Sequence, residues 1–190
     1  MKNAILYSLL FIAHCSIAQN WSFPDSNAIW SVYEEKFFIE GDSTAGNFDY
    51  KKIMRLEDSL ATNPEFFALF RYDSITKKAY SIKSNSLEEK LLYDFDVSVN
   101  DTITVFPIGF AYVSDSIRIK VVNIDLVQID GDQRKRIHLS GVDQNTGGGE
   151  FWIEGIGSSF GVFNPGLVGV TIFDVYYPLL LCFEVDGNLI

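Results

Sequence analysis

Short apolar runs, each stopped by turn-forming residues, constrain this chain more than any other feature in it. Ile29–Tyr33, Lys36–Glu40, Phe48–Leu56, Phe66–Tyr72, Ala79–Ile82 and Leu91–Phe95 carry β-branched and aromatic residues between breaks rich in Gly, Asp, Asn and Ser. The pattern continues through Ile103–Val113, Ser116–Ile129, Gln133–Leu139, Val170–Val175 and Leu179–Val185. No stretch repeats its apolar residues at the helical period over an ordinary helix length, although Glu57–Glu65 has room for one helical turn. The expectation is an all-β fold, an antiparallel meander closed in a barrel-like way, with a two-sheet β-sandwich as the alternative.

Particular turns sharpen this expectation. Asp130-Gly131 is a two-residue hairpin signal, and Asn100 stands where a tight turn demands a left-handed residue. Gly41-Asp42 reads as the break after Lys36–Glu40, and Pro107 and Gly109 predict an edge or bulge within Ile103–Val113. Phe151-Trp152-Ile153-Glu154, running into Gly155, Gly157 and Gly161, reads as a closing strand and corner, with Phe151, Ile153 and Phe160 available to fill a core. Alternation puts Trp152 and Glu154 on one face, opposite Phe151 and Ile153.

The first residues set an expectation about destination. Lys2, an apolar stretch from Ala4 to Ala13 and the small residues of Ser16-Ile17-Ala18 form a secretory signal peptide over residues 1–18, leaving one β-rich domain over 19–190. That apolar stretch is short of the ~20 residues a membrane span needs. Ile12-Ala13-His14-Cys15 loosely resembles a lipobox, the competing lipoprotein reading through Cys15, but His14 stands where that signal takes a small residue. Loss of the leader takes Lys2 and no acid, so the formal charge moves from −10 to −11. So acidic a chain is a poor partner for nucleic acid or anionic lipid. Cys182 is then the only cysteine of the mature chain, expected in an apolar strand as a small hydrophobe.

The assembled segments resemble a family of uncharacterised secreted proteins common in Bacteroidetes. The similarity rests on Ile39-Glu40-Gly41-Asp42-Ser43, Tyr50-Lys51-Lys52, Phe70-Arg71, Leu91 to Phe95 with Asn100-Asp101-Thr102, Trp152 to Ser158, and Leu181-Cys182-Phe183. Members often continue into a sorting domain for type IX secretion, whereas this chain stops at Ile190, and Asn100 replaces their usual glycine. The resemblance implies export, to the periplasm, the cell surface or beyond, and brings no catalytic residues with it. It also gives meaning to a repeated tripeptide. Ser43, Ser59, Ser74, Thr102 and Ser116 each follow Asp and precede Thr, Leu or Ile, which resembles an O-glycosylation acceptor of that lineage.

Chemical motifs are sparse. The glycines of 155–161 superficially match a phosphate-cradling loop, but their spacing is one residue too long and Asn164-Pro165-Gly166 follows where a helix should start. Glu154, beside aromatics, is a candidate carboxyl with a raised pKa. His138, the one histidine of the mature chain, has no Gly-x-Ser-x-Gly elbow to serve and no ligand cluster for zinc. Asp130-Gly131-Asp132 and the stretch Gly41-Asp42 to Asp49 place carboxylates in expected loops without a full calcium-loop pattern. No motif calls for a cofactor. Trp152 and Glu154 are the residues to inspect first, and Tyr33, Tyr112, Tyr176 and Tyr177 are conceivable contacts for a glycan, peptide or protein partner. The function expected is a non-enzymatic exported binding or surface module. The alternative is a carboxylate-dependent hydrolase acting on glycans, using carboxylates such as Glu154, for which two carboxyls within about 10 Å in one concave pocket and with perturbed pKa values would be the sign, and a third possibility is a small apolar ligand inside the barrel.

Overall fold

The computed structural model describes residues 21–57, 62–109, 116–142, 149–167 and 179–190. Thirteen strands run through them: β1 (Ala28–Val32), β2 (Glu35–Ala45), β3 (Phe48–Leu56), β4 (Glu65–Asp73), β5 (Lys78–Lys83), β6 (Lys90–Asp94), β7 (Thr102–Val105), β8 (Ile117–Ile129), β9 (Asp132–Gly141), β10 (Glu150–Ile153), β11 (Gly157–Ser158), β12 (Leu180–Val185) and β13 (Asn188–Leu189). All described pairings are antiparallel, in two sheets ordered β13-β12-β1-β2-β3-β4-β5-β6 and β11-β10-β9-β8-β7. One sheet curls into a half-barrel.

The sheets meet at two seams. Phe106 N donates to Leu91 O at 3.0 Å beside β6 and β7, and Leu180 N donates to Ser159 O at 3.0 Å, joining β12 to the residue after β11. Both the barrel-like and the sandwich expectation therefore describe part of the same object. Val170–Val175 and the helical turn considered in Glu57–Glu65 fall wholly or partly outside the described residues.

Local chemistry explains most boundaries. Asp130 and Gly131 take φ of 49° and 84°, the two left-handed residues of a type I′ hairpin between β8 and β9, and Asn100 takes φ of 79°. β7 is an edge strand that ends before Pro107. Gly41 corrects the expected break: β2 continues through it to Ala45, and the register with β3 shifts between Ile39 and Asp42, so glycine makes a bulge there rather than an end.

Aromatic rings from both sheets fill the interior. Phe163, carried in by the corner, lies 5.2 Å from Phe37, 5.2 Å from Phe67 and 6.1 Å from Phe70. Tyr93 packs edge-on to Trp152 at 4.9 Å, and Trp30 stacks on Phe183 at 5.3 Å. These interior positions hold side chains, where a ligand-carrying barrel would be lined rather than filled.

The corner is built around a buried carboxylate. Glu150 Oε1 accepts from Trp152 Nε1 at 2.8 Å, Ser158 Oγ at 2.8 Å and Gly166 N at 2.7 Å. Tyr93 Oη accepts from Ser158 N at 3.0 Å and donates to Val162 O at 2.7 Å, while Trp30 Nε1 donates to Ile156 O at 3.0 Å. Buried polar groups need such partners, so this network ties β1, β6, β10 and the glycine segment together. Gly161 has φ of 99°, and a Cβ on it would sit 2.8 Å and 2.9 Å from the two Val32 methyls. The core-filling expectation for β10 is corrected by one residue: Trp152 is fully buried, whereas Phe151, Ile153 and Phe160 are half-buried at the margin. The inward parity belongs to Glu150 and Trp152, because that side of β10 faces the other sheet.

Candidate functional site

The N-terminal segment 21–25 crosses the mouth of the barrel and makes one wall of a cleft. Trp21 Nε1 donates to Gln133 O at 3.0 Å, and Phe23 is buried against Phe70 at 4.9 Å and Tyr72 at 5.6 Å. Between this strap and β2–β4 lies a cleft of about 360 Å³, whose lining includes Ser22, Asp25, Asp42, Asp49, Lys51 and Tyr72.

Register decides that lining. Asp42 pairs with Lys51, and Lys51 with Phe70, so these three residues share one face of the sheet. Two positions further along the same face come Thr44, Asp49 and Tyr72. Lys51 Nζ lies 2.8 Å from Asp42 Oδ1 and 3.9 Å from Asp25 Oδ1. Two carboxylates thus share one lysine at the rim, with Asp49 beside them on the same face. A second, more open concavity of about 580 Å³ shares Asp42, Asp49 and Lys51 and extends the cleft along the β2–β3 hairpin.

On the opposite face Arg71 is held by its own neighbours. It donates to both carboxylate oxygens of Glu89 at 2.6 and 2.7 Å and lies over Phe48 at 4.2 Å and Tyr80 at 4.1 Å. Tyr50 Oη donates to Glu89 as well. Burial alone would raise Glu89, but hydrogen bonds from Arg71 and Tyr50 outweigh it and hold the carboxyl below its ordinary value. That cluster is paired internally through Glu89, while Tyr50 and Arg71 also line the cleft.

Glu154 lies at the mouth but is not among the cleft's lining residues. It is 3% exposed, and its Oε1 has no hydrogen-bond partner among the described residues. Lys77 Nζ, from the β4–β5 turn, stands 3.7 Å away, too far for a hydrogen bond. Lys135 Nζ, from β9, donates to Phe95 O at 2.7 Å and Val97 O at 3.1 Å. Burial pushes the Glu154 carboxyl above its ordinary pKa, although Lys77 and Lys135 both pull it down. Burial also lowers Lys135 and raises Tyr72, whose hydroxyl feels the Glu154 charge next. Trp152, the other residue singled out, is a core side chain.

The remaining sequence candidates scatter. His138 is on the outer face of β9, its Nε2 3.2 Å from Asp125 Oδ1, and Asp125 is also held by Arg136 at 2.7 and 2.8 Å. Asp42 and Asp49 prove to be strand residues rather than loop residues. Among the described residues no group of three His, Cys, Asp or Glu side chains is placed to hold a metal. Cys182 is half-buried in β12, with Sγ 3.8 Å from Glu184 Oε1.

Of the tripeptide hydroxyls, Ser74, Thr102 and Ser116 are exposed, Ser43 is half-buried inside β2, and Ser59 lies outside the described residues. Tyr33 is exposed, while Tyr112, Tyr176 and Tyr177 also lie outside them. Sequence reasoning missed Glu150, the strap, Lys51 and Tyr72. The alternation in Phe48–Leu56 was the available signal, since it groups Asp49 with Lys51.

Fold and site together define an all-β protein of two seamed sheets, with a strap-walled, carboxylate-rimmed cleft at its mouth and no membrane-spanning helix among the described residues. Comparison with protein-family models, curated proteins and solved structures finds no match.

Proposed function

We propose that this chain is an exported, non-enzymatic binding module that engages an extended polar ligand, a glycan or a peptide, through the strap-walled cleft. One observation carries the reading: the cleft and its extension share Asp42, Asp49 and Lys51 as a continuous polar rim beside the Tyr72 ring. Convergent polar groups over an aromatic surface are what small-ligand and oligomer sites share. Hydrolysis is the weaker reading. A glycosidase needs an acid and a second carboxylate flanking one bond, and Glu154, a carboxyl that burial raises, stands outside the cleft beside Lys77.

Immobilised glycan and peptide libraries probed with the mature protein test this directly. A ligand bound by wild type and lost in both Tyr72→Ala and Ser22→Trp supports the cleft, because one removes its ring and the other fills it. Binding unchanged in both variants would overturn it, and turnover of a bound glycan that disappears in Glu154→Gln would favour the hydrolase. O-glycosylation at Ser74, Thr102 and Ser116 is a separate proposal, supported by their exposure. A native protein with the bare polypeptide mass would reject it.

A further inference from the structure

Arg134 is a cation buried without an anion. Its residue is 9% exposed, its Nε has no hydrogen-bond partner, and no carboxylate reaches its guanidinium within ion-pair distance among the described residues. The Trp21 ring lies against it, its centroid 4.4 Å from the guanidinium carbon. Burial lowers its pKa, and the nearest acids, Asp132 and Asp130 of the β8–β9 turn, only partly restore it. Burying an ionised group costs several kcal/mol unless it is paired. A cation–π stack offsets only part of that cost.

The surroundings hold the guanidinium ready. Trp21 is fixed from behind by its bond to Gln133 O. Gly155, at φ of 81°, closes the other side: a Cβ there would lie 3.2 Å from Arg134 Nη1 and 3.0 Å from Ser22 O. The planar fork is thus set between a ring and a backbone turn, with its Nε–H unpartnered among the described residues. We infer that Arg134, stacked on Trp21 at the Gly155 turn, is a receptor for a single carboxylate group carried by a ligand.

Charge balance selects a carboxylate over a dianion. Asp132 and Asp130 already act on Arg134 from the β8–β9 turn, so a singly charged carboxylate meets less repulsion there than a doubly charged phosphate. A phosphate would carry surplus charge towards those acids. The fork matches carboxylate geometry through two parallel N–H···O bonds. This inference does not rest on the cleft reading, since Arg134 is not among the cleft's lining residues.

The test follows the Arg134 Nε–H resonance of the mature protein while sodium acetate replaces sodium chloride at constant ionic strength, with inorganic phosphate in a parallel arm. Acetate is expected to shift that resonance saturably, with a Kd on the order of 10 mM for one isolated pair. Arg134→Lys, read through Trp21 fluorescence, should weaken acetate about tenfold, because an ammonium cannot offer the fork, and Arg134→Gln should abolish the response while both variants keep the wild-type circular dichroism spectrum. The inference is overturned if acetate produces no saturable shift, if phosphate binds more tightly than acetate, or if Arg134→Gln retains the fluorescence response. It is equally overturned if Glu154→Gln alone moves the Nε–H resonance as acetate does, since Glu154 would then be the anion.

Discussion

Replacing Glu150 should unlock the glycine corner and with it the ties of β10 and β11 to Tyr93 of β6. Its Oε1 takes three hydrogen bonds at 2.7–2.8 Å, from an indole, a hydroxyl and a backbone amide. In Glu150→Ala the Ser158 hydroxyl can turn towards another acceptor, but Trp152 Nε1 and Gly166 N are left as buried donors. Each orphan costs about 1–3 kcal/mol, so the loss should be about 4 kcal/mol, a large part of the ~5–15 kcal/mol of a domain. Glu150→Gln keeps an acceptor oxygen and should lose only about 1–2 kcal/mol. Urea unfolding followed by tryptophan fluorescence reads both: with m of about 2 kcal/mol/M the Ala variant's midpoint should fall by about 2 M, and the Gln variant's by less than about 1 M. If both variants unfold within about 0.5 M of wild type, or if Gln proves worse than Ala, the network does not hold the corner as described.

Further perturbations probe separate parts of the structure. Gly161→Ala combines a left-handed φ with contact on the Val32 methyls and should cost about 2–4 kcal/mol in the same assay; a loss under about 1 kcal/mol would mean that β1 yields easily there. Asp125 is held down to about 2, first by its hydrogen bond from Arg136. A depressed carboxyl stabilises above its unfolded pKa and loses that contribution as pH falls through the folded one. Wild type should therefore lose more melting temperature than Asp125→Asn between about pH 4 and pH 2, and parallel curves would refute the pairing. Glu154 has the opposite sign, because its folded pKa is raised. Its carboxylate form is disfavoured in the folded state, so Glu154→Gln should be more stable than wild type at neutral pH and converge with it in acid; a less stable Gln variant at neutral pH would show that the lysines dominate.

The cleft was only partly legible in the amino-acid order. Asp42 and Asp49 stood out as carboxylates near a glycine, but they read as loop residues because Gly41 looks like a strand break until a partner strand absorbs it as a bulge. Lys51 and Tyr72 join them only through pairing across β2, β3 and β4, and the strap contributes Ser22 and Asp25 only by folding back over the mouth. Glu150 drew no notice because a lone acid beside a glycine loop resembles any solvated charge. Its role exists only where Trp152, Ser158 and Gly166 converge on it.

By itself the sequence determined what local chemistry governs. It set the all-β class through its short β-branched and aromatic runs, the β8–β9 hairpin through Asp130-Gly131, and the left-handed turn at Asn100, because backbone sterics act within a few residues. The tertiary structure alone decided which side of β10 faces inward, which acids share a lysine, and that Arg134 is buried with no ion-pair partner among the described residues. Those outcomes depend on register and on contacts between segments more than a hundred residues apart, as between Trp21 and Gln133, and a strand's two faces exchange with a shift of one residue.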